Sequence, residues 1–191
     1  MEEFSETLLS SSVVFEGRVL KLRVEEVELP NGRRSRREIV EHPRAVAVVP
    51  LLQSDEVVLI RQYRRSVDRI LWEIPAGKLE PDEDPLTGVQ RELAEEAGLG
   101  GGYWEPLARF YTSPGFCNEE IILFLARNLE WLEDKDEVKR PGDELIEPVT
   151  FSQERVIEML VEGRLRDAKT ILGISLALGL EISPHPTVGA G

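Results

Sequence analysis

A chain of 191 residues, 41% of them apolar, is long enough to bury a core as one domain or as one domain with a small appendage. Its formal net charge of −13 argues against non-specific nucleic-acid binding and against anionic lipid surfaces, yet it allows a phosphate-bearing small molecule whose charge is offset by divalent cations. The single cysteine, Cys117, excludes an internal disulfide, and there is neither a signal-peptide pattern nor a membrane-length apolar run, so the expectation is a cytoplasmic protein with no membrane span.

Taken in chain order, residues 13–29 (VVFEGRVLKLRVEEVEL) alternate at Leu20, Leu22 and Val24 and slip at Glu25–Glu26, which predicts a strand with a bulge there. Asn31-Gly32 predicts a hairpin, and REIVEH the return strand, so residues 1–43 are expected to form a small antiparallel sheet. AVAVVPLL (45–52) and EVVLIRQY (56–63) read as buried neighbouring strands, and LWEIPAG (71–77) as a short strand ending at a Pro/Gly turn. Asp84 as N-cap, Pro85 at the first helical position and Gly98 after the last turn predict a helix over 85–97. ARFYTSPG (108–115), EIILFLA (120–126) and ELIEPVTF (144–151) read as further strands. SQERVIEMLVEG (152–163) and DAKTILGISLALG (167–179) read as capped helices. The expected organisation is an α/β sandwich around a mixed sheet over residues 44–180, with 181–191 as a flexible tail.

The helix over 85–97 carries an unusual charge pattern. Leu86, Val89, Leu93 and Ala97 fall on one side, which can pack on the sheet, while Glu92, Glu95 and Glu96 cluster beside it and repel one another. A solvated, salt-bridged surface helix is one reading, and a site for cations is the other. The flanks favour the second. GKLEPDEDPLTGVQRELAEEAGL fits the pattern G-x5-E-x7-R-E-U-x-E-E-x-G-U, with U aliphatic, through Gly77, Glu83, Arg91, Glu92, Leu93, Glu95, Glu96, Gly98 and Leu99. In this stretch the chain resembles the Nudix hydrolases, which cleave a nucleoside diphosphate linked to another group. The resemblance implies a Nudix-type α/β/α sandwich and a bound Mg²⁺, with Mn²⁺ as a possible substitute. It implies that Glu92, Glu96 and the carbonyl of Ala76 are metal ligands, and that Glu95 assists them, oriented by Arg91. Glu83 is expected to buttress the turn into the helix, and Gly77 and Gly98 to serve as turn and cap residues. Hard oxygen donors on a rigid helix suit such a cation, which can neutralise a pyrophosphate and help activate water.

Outside this stretch, REIVEHPRAVAVVPLL, RQYRRSV, WEIPAGKLE, FYTSPGFCNEEI and RDAKTI are similar to bacterial ADP-ribose pyrophosphatases, and Pro114 lies fifteen residues after Leu99 as in that branch. This resemblance implies hydrolysis of ADP-ribose to AMP and ribose 5-phosphate by a homodimer, with the N-terminal sheet swapped between protomers and helping to hold adenine. It implies that Arg64 binds the substrate phosphates and that Arg37, with Arg36 its close competitor, contacts substrate, as does Pro114. Glu144 is expected as general base or further metal ligand, ahead of Asp143 and Glu147. Phe15 could stack on adenine, but the core is its stronger expectation. His42 and His185 form no evident catalytic cluster, and Cys117 has no catalytic histidine partner in a recognised motif. Two other readings stay open. One is the same chemistry on a sugar nucleotide; the other is a non-catalytic ADP-ribose-binding module, against which the intact set of glutamates argues.

Overall fold

The computed structural model describes residues 4–133 and 145–180. Asp143, Glu144, His185 and the expected tail 181–191 lie outside the described residues. The fold divides into two units: the described residues up to 45 together with 110–121, and residues 46–109 together with the described residues from 122 onward.

In the first unit, β1 (Thr7–Glu16), β2 (Lys21–Glu28) and β3 (Arg34–Glu41) form an antiparallel sheet in that order. The expected hairpin is present. Gly32 takes φ 78°, its N–H donates to Leu29 O at 2.8 Å, and Asn31 Oδ1 accepts the Arg33 N–H at 3.1 Å. The bulge expected at Glu25–Glu26 is not there. The β2–β3 register runs unbroken through Glu25↔Arg37 and Glu26↔Arg36, and the shifts fall on β1 between Leu8 and Ser10 and between Val13 and Phe15. Two successive acids facing two arginines across the ladder account for the slip in alternation without a backbone irregularity. β1 begins at Thr7, before the alternating stretch, and is exposed along its whole length. Phe15, expected in a core, is 57% exposed, because β1 is the edge of a three-stranded sheet.

The larger sheet has seven strands. These are β4 (Ala45–Leu52), β5 (Val57–Arg64), β6 (Arg69–Glu73), β7 (Ala76–Lys78), β8 (Leu99–Tyr111), β9 (Glu120–Trp131) and β10 (Ile146–Phe151). Their order is β10-β5-β4-β9-β8, with β6 paired to β5 and β7 to β4. The helices are α1 (Pro85–Ala97), α2 (Gln153–Val161) and α3 (Ala168–Ala177). Every residue of β4 is buried, as its unbroken apolar run requires when both faces are covered. On one face, Val46, Val48, Val58, Phe124 and Ala126 pack with Val89, Leu93 and Ala97 of α1. On the other, α3 approaches so closely that a Cβ on Gly173 would lie 2.9 Å from Val49 Cγ2 and 3.1 Å from Ile74 Cδ1. Odd and even residues of β4 thus serve opposite helices, and the α/β/α sandwich is present as expected.

Three local expectations are corrected. The strand over 71–77 is two strands, parted at Ile74–Pro75, since Pro75 has no N–H for a ladder; its carbonyl instead accepts the Val48 N–H at 3.0 Å. The strand over 108–115 begins at Leu99 and ends at Tyr111, and Ser113 O then accepts the N–H groups of Phe116 and Cys117, placing Pro114 in a turn. Leu86, in the first turn of α1, is 39% exposed rather than packed on the sheet, and Gly88 takes the inward place beneath Leu79. No helix among the described residues is long and apolar enough to cross a membrane.

Candidate active site

The site is built where the backbone between β6 and β7 meets α1. Each residue of this short segment is pinned. Ile74 N–H donates to Thr170 Oγ1 at 2.9 Å, Pro75 O is bonded to β4, and Ala76 N–H donates to Glu96 Oε2 at 2.9 Å. Gly77 then passes so near the helix that a Cβ there would lie 1.9 Å from Glu92 Cδ and 2.1 Å from both carboxylate oxygens. Only glycine leaves room for Glu92, which is a stronger demand than the turn role read from sequence. The helix itself is fixed by Asp84, whose carboxylate accepts the N–H groups of Leu86 and Thr87 at 3.1 Å each, and by Gly98 at φ 68°.

Arg91 gathers the acids. Its guanidinium donates to both oxygens of Glu83 at 2.9 Å, to Glu92 Oε1 at 2.9 Å, to Glu95 Oε2 at 3.4 Å and to Lys78 O at 3.1 Å. Glu83 also accepts the Glu80 N–H at 3.0 Å. It therefore locks the loop to the helix, and the Arg91 hydrogen bond holds its carboxyl below the usual carboxylate range. Glu92 behaves oppositely: burial raises its pKa against the pull of Arg91. Glu96, only 6% exposed, is pushed up to about 8 by burial and by the charge of Glu92. The Ala76 N–H and the charges of Arg64 and Lys169 oppose that rise. Sequence periodicity placed Glu96 outside the core; in the fold it is buried at the core's edge.

Sequence reasoning missed the neighbouring cluster around Glu73. Arg64 donates to its two oxygens from Nε and Nη2 at 2.7 and 2.9 Å, and Lys169 Nζ binds Glu73 and, at 3.0 Å, Asp167. Burial alone would raise the Glu73 carboxyl, but Arg64 and Lys169 outweigh it and hold it low. The available signals were an acid inside the apolar run LWEIP and the DAKT segment, whose Asp167 was read only as a helix cap.

The structure thus brings Ala76, Arg91, Glu92, Glu95 and Glu96 to one helix–strand junction, with the charges of Arg64 and Lys169 felt at Glu96. Arg37 and Pro114 belong to the other unit. There Arg37 pairs with Glu6 and also donates to Ser35 Oγ and Arg36 O. His42 sits in that unit beside Glu119, 3.3 Å away. Among the described residues no group of three His, Cys, Asp or Glu side chains is gathered into a ready metal site. The donor chemistry nevertheless fits a hard divalent cation. Burial raises the pKa of both Glu92 and Glu96, Arg91 shares its one charge among Glu83, Glu92 and Glu95, and Arg64 and Lys169 act on Glu96 by charge alone. A backbone strand adjoins the two carboxylates, and Mg²⁺ commonly takes one or two protein carboxylates with water and phosphate oxygens completing its shell.

Residues 41–171 match the family model described as NUDIX domain. The chain belongs to the Nudix family. Ahead of the Nudix domain, residues 6–40 match the nucleoside diphosphate sugar hydrolase N-terminal domain. This Nudix chain is 40% identical over 174 residues to an ADP-ribose pyrophosphatase of Bacillus subtilis (strain 168), covering 91% of this chain and 93% of that protein. It is also 40% identical to a methanol dehydrogenase activator of Bacillus methanolicus, covering 90% and 91%. Identity to a GDP-mannose pyrophosphatase of Cronobacter sakazakii is 35%, covering 71% and 77%. The Nudix fold is shared with a crystal structure of an ADP compounds hydrolase at TM-score 0.77 and 22% identity, covering 91% and 92%.

Gly77→Ala is expected to displace the Glu92 carboxylate while the fold survives. Hydrolysis should fall by about 10²-fold or more, the usual consequence of misplacing a reacting group by about 1 Å, with an unchanged circular-dichroism spectrum. Near-normal turnover would show that Glu92 need not stand where Gly77 lets it. The raised pKa of Glu96 also carries a sign. A carboxyl whose folded pKa lies above its unfolded value stabilises the fold fully only below the unfolded value, and that stability is lost as pH climbs towards 8. In chelator, denaturant unfolding of wild type should therefore lose ground to Glu96→Gln between pH 5 and 8, by about 1 kcal/mol or more. Parallel profiles would contradict this.

Proposed function

We propose that this Nudix hydrolase cleaves the pyrophosphate of ADP-ribose with water, giving AMP and ribose 5-phosphate, and that it uses Mg²⁺, which Mn²⁺ can replace. The observation that carries the reading is the pairing of half-buried Glu92, given room by Gly77 and held by Arg91, with buried Glu96, on which two cationic side chains act. The 40% identity to an ADP-ribose pyrophosphatase over nearly the whole chain supports the substrate.

In this reaction a water oxygen bonds to one phosphorus and the bridging P–O bond breaks. The bridging oxygen leaves with its electron pair on the other phosphate, and the water's proton passes to a carboxylate. Mg²⁺, when bound by Glu92, Glu96 and the Ala76 carbonyl, supplies charge neutralisation and acidifies water. The chain's residues then have distinct tasks. Arg91 fixes the rotamers of Glu92 and Glu95. Arg64 takes the phosphates, and Arg37 and Pro114 contact the rest of the substrate. Glu144 is assigned as proton acceptor or further ligand. Glu147 is the weaker choice, since it pairs with Arg61 at 3.2 Å on the β10–β5 ladder.

We place the enzyme in the cytoplasm as a homodimer whose N-terminal sheet is exchanged between protomers. Exposed Leu8, Val13, Val14 and Phe15 on β1 support a covered apolar surface. The GDP-mannose pyrophosphatase relatives favour a second reading, the same chemistry on a sugar nucleotide. A substrate panel with Mg²⁺ and product analysis separates the two. ADP-ribose should exceed GDP-mannose, dinucleoside polyphosphates and nucleoside triphosphates in kcat/KM, and chelator should abolish turnover; a different winner would replace the substrate assignment. Light scattering should give a dimer that Val14→Glu dissociates, whereas a fully active wild-type monomer would exclude a shared site.

A further inference from the structure

Glu73 has no part in the reaction as proposed, yet it is the least exposed charged side chain among the described residues of its unit, 1% exposed on a strand facing α3. A carboxylate there is tolerable only with partners, and it has two cations. Both oxygens engage Arg64, at Nε and Nη2, the two-point geometry that stops a guanidinium from turning about its last torsions. Lys169, with a side chain only 11% exposed, closes the other side and is tied through Asp167 Oδ1 to the cap of α3. Asp167 Oδ2 in turn accepts the Thr170 N–H and hydroxyl at 3.0 and 2.6 Å, and that hydroxyl accepts the Ile74 N–H. One carboxylate therefore joins β5, β6 and α3, and the same chain of bonds ends at the backbone that meets Glu96.

The Arg64 side chain is 34% exposed, so it reaches from this buried anchor towards solvent. Its charge and that of Lys169 are both felt at Glu96. A long arginine on a strand end would otherwise sample many rotamers, and ordering it at binding would weaken affinity.

We propose that Glu73 is a positioning residue which, with Lys169, fixes the Arg64 guanidinium as the anion-binding group for the diphosphate of the substrate. This rests on the reading of Arg64 as a phosphate contact, and it adds two residues that act through Arg64.

The test is calorimetric binding of the non-hydrolysable α,β-methylene analogue of ADP-ribose, with and without Mg²⁺. The variants are Arg64→Ala, Arg64→Lys, Glu73→Gln and the double Arg64→Ala/Glu73→Gln. Arg64→Ala and Glu73→Gln should each weaken binding roughly tenfold or more, and the double variant should be no weaker than Arg64→Ala alone. Arg64→Lys, which keeps the charge but loses the two-point bond, should resemble Arg64→Ala. Should Glu73→Gln fail to fold, the charge-balanced Glu73→Gln/Lys169→Met takes its place with the same expected loss. Wild-type affinity in the folded Glu73 variant, beside a weakened Arg64→Ala, overturns the positioning role and leaves the phosphate contact standing. Full affinity in Arg64→Lys, or additive losses in the double variant, also overturns it. Wild-type affinity in Arg64→Ala overturns both. A purely structural Glu73 would shift the melting temperature and leave these affinities and their coupling unmoved.

Discussion

Two glutamates one helical turn apart, Glu92 and Glu96, are held where neither burial nor the charge of neighbouring carboxylates favours ionisation. Much of the local architecture follows from that constraint. The helix that bears them is bound to the sheet by the apolar stripe of Val89, Leu93 and Ala97, while its polar side is tied to the neighbouring backbone at Ala76 and Lys78. The strand beside it must be interrupted at Pro75 so that Ala76 can donate to Glu96 instead of continuing the β6 ladder, and it must carry glycine at 77 so that Glu92 fits. Arg91 restores part of the lost counter-charge, but one side of its guanidinium is spent on Glu83 and the Lys78 carbonyl and the other on Glu92 and Glu95, with no bond to Glu96. The remaining deficit is what a hard cation would supply.

Behind this acidic face stands a second arrangement with the opposite logic. Glu73 is more deeply buried than Glu96, yet it stays ionised because Arg64 and Lys169 meet it directly. One carboxylate is matched and the other is not, although they share a core and the same two cations act on both. The difference lies in contact geometry: hydrogen bonds to Glu73, and only longer-range charge at Glu96. A site meant to bind a cation and a pyrophosphate together requires such a division, with satisfied charge holding the frame and unsatisfied charge left for the ligand.

The sequence made the sandwich readable because β4, β5 and α1 follow simple rules: an unbroken β-branched run, a matching neighbour, and an N-cap with proline and a closing glycine around a periodic stripe. It also made the acidic helix readable, because nine positions at fixed spacing leave little freedom. Other features were hidden for physical reasons. The β1 strand, TLLSSS at its start, has no alternation because neither of its faces is buried within the described chain. The true burial of Glu96 cannot be read from helical periodicity, which gives an angle but not the closeness of the strand at Ala76. The Glu73–Arg64–Lys169 cluster joins residues up to 105 positions apart, and each of them looks ordinary alone. The Glu6 partner of Arg37 was also hidden, because Glu6 lies 31 positions away in a stretch with no pattern of its own.

The proposed cation site rests on Glu92 and Glu96, whose charges the neighbouring cationic side chains offset only in part. The most direct measurement is the electron paramagnetic resonance signal of free Mn²⁺ titrated with protein in the absence of substrate. Wild type should quench that signal, and Glu92→Gln and Glu96→Gln should each weaken the binding by roughly tenfold or more while remaining folded. Equal Mn²⁺ binding by wild type and both variants would contradict the account.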